Sequence, residues 1–149
     1  MKMPWHKRDP RLLARNRDEV NAKYSDLGFF IKDETVFVRG SFHVLHEDQV
    51  LDRYQIEIEL PPDWPDSIPV LREVGGRIPV HKDRHINRGD ETSCLLVPEE
   101  WLLSPQRDSL RAFLDGPVHN FFLGQSLVEV GEPWPFGERA HGMPGLLQS

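Results

Sequence analysis

The sequence predicts an α+β domain: an N-terminal helix, a four-stranded antiparallel meander, a structured loop and C-terminal helices. Three observations carry that prediction. Asp9-Pro10 opens a helical pattern. From Phe29 to Leu60 the apolar residues recur with period two. A proline-braced stretch then separates this region from a second set of helical patterns.

The first helix is expected from Asp9-Pro10 to about Tyr24, because Asp is a good N-cap and Pro tolerates the first helical position. Leu12, Leu13, Val20 and Tyr24 form its apolar side, and Arg8, Arg11, Arg15 and Arg17 its polar side. Phe29–Ile31 begins the first strand, with a turn at Asp33-Glu34. Val36, Val38, Phe42 and Val44 alternate along the second, which turns at His46-Glu47-Asp48. Tyr54, Ile56, Ile58 and Leu60 alternate with Gln55, Glu57 and Glu59, the signature of a half-buried antiparallel strand. Ile68–Val74 supplies a shorter fourth strand. Short turns between these runs favour a meander over parallel crossovers.

Prolines at 61, 62, 65, 69, 79, 98 and 105 mark the next stretch as mostly fixed loop. Ser104-Pro105 reads as the N-cap and first turn of a helix carrying Leu110, Phe113 and Leu114. Gly116-Pro117 interrupts it, and Val118, Phe121 and Phe122 begin another face that runs to about Val130. The tail from about residue 131 is rich in proline and glycine and reads as irregular.

At 149 residues the chain has the size of one domain, residues 1–149. No apolar run approaches the roughly 20 residues of a membrane helix, and no membrane partner is expected. Met1–Arg8 has charge but no apolar stretch behind it, so no secretory signal is read and a cytoplasmic location is expected. The net charge of −6 is uneven: residues 1–24 carry +4 and the remainder −10. A basic end on an acidic body argues against general nucleic-acid binding and suggests a patch for an acidic protein partner. A plain solvated helix face explains the same charges.

The chain has one cysteine, Cys94, which excludes a disulfide framework and an all-cysteine zinc site. A lone cysteine is either a small buried hydrophobe or a reactive thiol. A polar, glycine-bearing hairpin precedes it, and Leu95 and Leu96 follow as backbone anchors. Asn87 lies seven residues upstream, so a loop closing back brings its amide near the thiol, where it suits the oxyanion of an attacked thioester. Asn87 beside Gly89 also suits a turn amide bonding its own backbone.

The order of elements and three motifs resemble the ubiquitin-conjugating enzyme family. Leu60-Pro61-Pro62-Asp63-Trp64-Pro65-Asp66-Ser67-Ile68-Pro69 looks like the family's proline-aromatic-proline motif after the third strand. His85-Ile86-Asn87 looks like its His-Pro-Asn tripeptide. Cys94-Leu95, with Trp101 and Ser104-Pro105, looks like its Cys-Leu…Trp-Ser-Pro run. The match spans residues 8–130. Ile86 stands where the tripeptide has proline, the Asn-to-Cys spacing is one residue shorter, and Leu102 and Leu103 are additional. The tail Gly131–Gly142 is unlike eukaryotic members. It is more similar to divergent conjugating-enzyme-like proteins of bacterial anti-phage (CBASS) and ubiquitination-like operons.

The resemblance implies a UBC-like fold and a transferase. Cys94 would accept a protein's C-terminal glycine as a thioester and pass it to a lysine amine. Asn87 would hold the oxyanion or brace the loop, and His85 would chiefly bond backbone across it. Arg8, Arg11, Arg15 and Arg17 lie on the helix that in the family receives the activating enzyme. No phosphate-binding glycine motif is present, so a separate ATP-dependent activating enzyme is implied. The modifier would be a ubiquitin-like protein or the C-terminus of a cGAS-like nucleotidyltransferase. Gly145–Ser149 suits a carrier of such a modifier.

No cofactor is expected. His81, His85 and Cys94 are zinc-type donors, but a fourth ligand is not evident (His141 is a loose candidate), and no metal is expected. Asp90, Glu91, Glu129 and Glu132 would face an incoming lysine or, more simply, solvent. Trp64, Trp101 and Trp134 are expected to pin loops to the core. A non-catalytic binding module of the same fold, and a zinc hydrolase, are the competing readings.

Overall fold

A computed structural model of the chain describes residues 3–76 and 98–132. A short helix α1 (Trp5–Arg8) precedes α2 (Pro10–Lys23). Asp9 separates them and caps α2, its carboxylate accepting from the Leu12 N–H at 3.2 Å. Arg8 therefore belongs to α1 rather than to the longer helix, and α1 itself has no counterpart in the expected order of elements.

Strands β1 (Leu27–Lys32), β2 (Thr35–His46), β3 (Gln49–Leu60) and β4 (Val70–Glu73) form one sheet in the order β1-β2-β3-β4. All three pairings are antiparallel, as the meander predicts. Two-residue turns at Asp33-Glu34 and Glu47-Asp48 join the first three strands, with positive φ at all four residues. That backbone matches the right-handed twist of a hairpin.

The alternation falls as expected on one buried face. Val36, Val38, Phe42, Val44, Tyr54, Ile56, Ile58 and Leu60 point into the core. The β2 series skips one inward position, Gly40 (φ 148°), because the α2–β1 turn lies on it: a Cβ there would stand 2.0 Å from the Asp26 carbonyl oxygen.

The C-terminal helices cover this face. Helix α3 (Pro98–Leu102) is followed by turns, then by α4 (Leu110–Phe113), a π-helical turn (Leu114–Val118) and α5 (His119–Glu129). Leu110, Phe113, Leu114, Val118, Phe121 and Phe122 are buried against the strands. Phe122 stacks on Tyr54 at 4.5 Å and meets Phe42 at 5.8 Å. Gly116-Pro117 widens the helix without ending it: proline lacks the N–H of a regular turn, and a π turn absorbs the defect.

The helix expected at Ser104-Pro105 starts later, at Leu110. Ser104 makes a local turn, accepting from the Gln106 N–H at 3.1 Å. Ser109 is the cap, accepting from the Ala112 N–H at 3.2 Å. The Leu110 N–H is held by the buried Asn16 side chain, which fixes where the helix begins.

Candidate functional site

Cys94 falls in the segment between β4 and α3 in sequence. Cys94, Asn87 and His85 lie outside the described residues, as do His81, Asp90, Glu91, Trp134 and His141. The described structure shows what anchors the segment's two ends. On the entry side, Leu71 of β4 is buried, and the Val74 N–H donates to the Gln55 carbonyl at 2.8 Å. On the exit side, Trp101 packs edge-on against Phe113 at 5.3 Å.

The proline-rich turn between β3 and β4 is held by its own bonds. The Trp64 N–H donates to the Pro61 carbonyl at 2.9 Å, and Ser67 donates to the Asp63 carboxylate at 2.6 Å. Trp64 is buried and meets Trp5 at 4.6 Å, while the Trp5 N–H donates to the Pro62 carbonyl at 3.0 Å. Neither indole N–H has an acceptor among the described residues, so ring contact and area burial hold the pair. Trp64 and Trp101 thus pin loops, as expected, and Trp5 adds a seam that sequence reasoning missed. Its neighbours His6, Lys7 and Arg8 disguised it as part of a charged tail.

The four arginines are all exposed; Arg8 is on α1, and the three on α2 form two groups. Arg11 and Arg15 border a shallow cleft of about 440 Å³ with Asp9, Pro65 and Asp108. Arg17 is on the other flank of α2, over β1, beside Leu13 and Phe29. Arg15 has a structural task as well: it donates to the Asp108 carbonyl at 2.7 Å and pairs with the Asp108 carboxylate at 3.3 Å. Asn16 works next to it. Its amide nitrogen donates to the Leu12 and Asp108 carbonyls at 2.9 and 3.1 Å, and its oxygen accepts from the Leu110 N–H at 2.7 Å. A fully buried asparagine on the inward side of an amphipathic helix was the one signal for this clamp, and it is visible only once the partner helix is known.

A polar cavity of about 310 Å³ opens between the β2–β3 turn and the helices, lined by Tyr24, His43, Asp48, Asp115 and His119 among others. Asp115 is its hub, accepting from Tyr24 at 2.5 Å and Lys23 at 2.8 Å, with Arg111 3.6 Å away. Burial raises the Asp115 carboxyl, but the Lys23 and Tyr24 bonds and the charges of Lys23 and Arg111 outweigh it and hold it below its ordinary value. Burial, and then the bond and charge of Asp115, push the Tyr24 phenol far above its own. This arrangement supplies a structural tie, not a proton acceptor poised near neutrality.

The signs give a pH profile. Asp115 stabilises the fold above 3.8, its ordinary value, and that contribution disappears as pH falls through its lower folded value. Tyr24 stabilises it below 10.0, and that contribution fades as pH rises past this point. Thermal melts across pH are expected to show both falls, each shallower in Tyr24→Phe. Identical profiles for the two proteins would contradict the tie.

Among the described residues no group of three or more His, Cys, Asp or Glu is placed to hold a metal ion, and no helix is long and apolar enough to cross a membrane. Of the candidate carboxylates near an incoming lysine, Glu129 and Glu132 are described, exposed at the end of α5. Comparison with family models, curated proteins and solved structures returns no significant match.

Proposed function

We propose that the chain is a ubiquitin-conjugating-like transferase with a UBC-like fold. Cys94 carries a protein C-terminal glycine as a thioester. The observation that carries this reading is order. One capped helix precedes a consecutive antiparallel meander, the proline-aromatic-proline turn follows β3, and Cys94 falls in sequence between β4 and the Trp101 helix.

The Cys94 thiolate attacks the carbonyl of the activating enzyme's thioester. A new C–S bond forms, the old one breaks, and the donor cysteine leaves as thiolate. A lysine amine then attacks the Cys94 thioester. The C–N bond forms, the C–S bond breaks, and the amine proton passes to solvent. Asn87 supports the oxyanion, and His85 braces the loop. The exposed Arg8, Arg11 and Arg17, with Arg15, offer cations to an acidic, ATP-dependent activating enzyme that adenylates the carboxylate. The modifier is a ubiquitin-like protein or the C-terminus of a cGAS-like nucleotidyltransferase. The setting is bacterial anti-phage defence in the cytoplasm.

Reconstitution with the proteins encoded beside it and ATP tests this reading. Wild type is expected to form a thiol-sensitive adduct on a non-reducing gel. Cys94→Ala should form none, and Cys94→Ser a thiol-resistant ester of the same mass. Absence of any adduct with an activating enzyme shown to be active would reject the carrier role in favour of a binding module of the same fold.

A further inference from the structure

We propose that the free edge of β1 is a docking strand for an extended segment of another protein, in which apolar and acidic residues alternate. The inference is independent of the thioester chemistry of Cys94.

β1 ends the sheet. Its hairpin closes at Lys32↔Thr35 around a two-residue turn with both φ positive, so that pair exchanges backbone hydrogen bonds. Alternation then directs the N–H and C=O of Ile31, Phe29 and Leu27 away from β2. The Leu27 N–H bears this out, donating to the Tyr24 carbonyl at 3.1 Å. Phe29 and Ile31 have no such backbone partner among the described residues.

Edge strands are ordinarily protected by proline, bulges or charged side chains, and of these β1 has only Lys32, at its end. β1 reads Leu27-Gly28-Phe29-Phe30-Ile31-Lys32, with no proline, and its register with β2 is unbroken. Phe30 and Ile31 are 39% and 54% exposed. An unguarded apolar edge of this kind is a template for strand addition.

The edge also has a pocket for an incoming side chain. A groove of about 240 Å³ runs between α2 and β1, lined by Leu13, Arg17, Phe29, Phe30, Ile31 and Val36. An apolar side chain fits its floor. Arg17 lines the groove, and Lys32 lies with Phe30 on the opposite face of β1; both are exposed and neither is in an ion pair with any described residue. Lys32 has no acid beside it within β1, so the chemistry fits a strand that brings carboxylates to that face.

The test uses the full chain, labelled with nitrogen-15, and a short peptide of alternating glutamate and valine. Hydrogen exchange at the Phe29 and Ile31 amides is expected to be fast in the free chain and to slow at least about tenfold with peptide. Methylating alternate peptide nitrogens should abolish binding, because paired donors are lost. Ile31→Pro should do the same while leaving the β1–β2 ladder, since its N–H faces outward. Lys32→Glu should weaken binding about fivefold, because the peptide's glutamates face Lys32 when its valines enter the groove. Four results would overturn the proposal. They are no binding, binding indifferent to peptide methylation, both amides already protected in the free chain, and protection that grows with chain concentration alone. The last two mean that the chain's own segment, or a second copy, covers the edge.

Discussion

Gly40→Ala is expected to cost about 4 kcal/mol, combining strain at positive φ with a clash that side-chain motion cannot relieve. The new Cβ would meet three backbone atoms: the Asp26 carbonyl oxygen at 2.0 Å, its carbon at 3.1 Å and the Leu27 Cα at 3.2 Å. Relief therefore requires the α2–β1 turn to lift from the sheet, which also disturbs Tyr24 and Leu27, both buried. Against a total stability of about 5–15 kcal/mol for a domain, this is a large share. Urea melts should show a lower midpoint with little change in slope. Gly28→Ala is the control: its Cβ would find only the Arg39 carbonyl, at 4.0 Å, and the variant should melt close to wild type. A loss under about 0.5 kcal/mol at Gly40, within the range of ordinary surface changes, would mean that the turn does not rest on it.

Asn16→Ala is expected to cost about 2–4 kcal/mol, because it strands a buried donor as well as losing bonds. The Leu110 N–H would have no acceptor, and α2 would lose two donations to the Leu12 and Asp108 carbonyls. Asn16→Asp is the sharper test. It keeps an acceptor for Leu110 but sets a carboxylate oxygen against two carbonyls. Burial and those carbonyls raise the carboxyl of the new acid, so its deficit relative to wild type should be large at neutral pH and shrink on acidification. A deficit independent of pH would mean that the side chain turns out to solvent. Both variants also loosen the placement of Arg11 and Arg15, which ride on the clamped helix.

Much of this fold was legible in the sequence where one physical signal acted alone. Asp9-Pro10 sets the start of α2 through capping, and alternation in β2 and β3 sets which side chains are buried. The failures came where distant partners decide. Trp5 is buried because Trp64 receives it, and nothing within its own charged neighbourhood says so. The later helix begins at Leu110 and not at Ser104 because Asn16 takes the Leu110 N–H. The open inward slot at Gly40 was visible as a gap in the β2 pattern, but its cause, the Asp26 carbonyl, is tertiary. The site divides the same way. The motif around Cys94 was read from residue types and order alone, and it lies outside the described residues. The arginines looked like one patch on a helix, whereas α2 turns Arg17 away from Arg11 and Arg15.

The Asn16–Leu110 bond closes a loop of 94 residues, whereas every strand pairs with its neighbour in the chain. Contacts of short sequence separation form early, and long loops close at a greater entropic cost. The hairpins of the meander therefore assemble first, and the clamp between α2 and α4 locks late. An interaction made after the rate-limiting step leaves the speed of folding nearly unchanged and governs how quickly the native state opens. Asn16 is thus a determinant of the protein's lifetime: losing it should accelerate unfolding far more than it slows refolding.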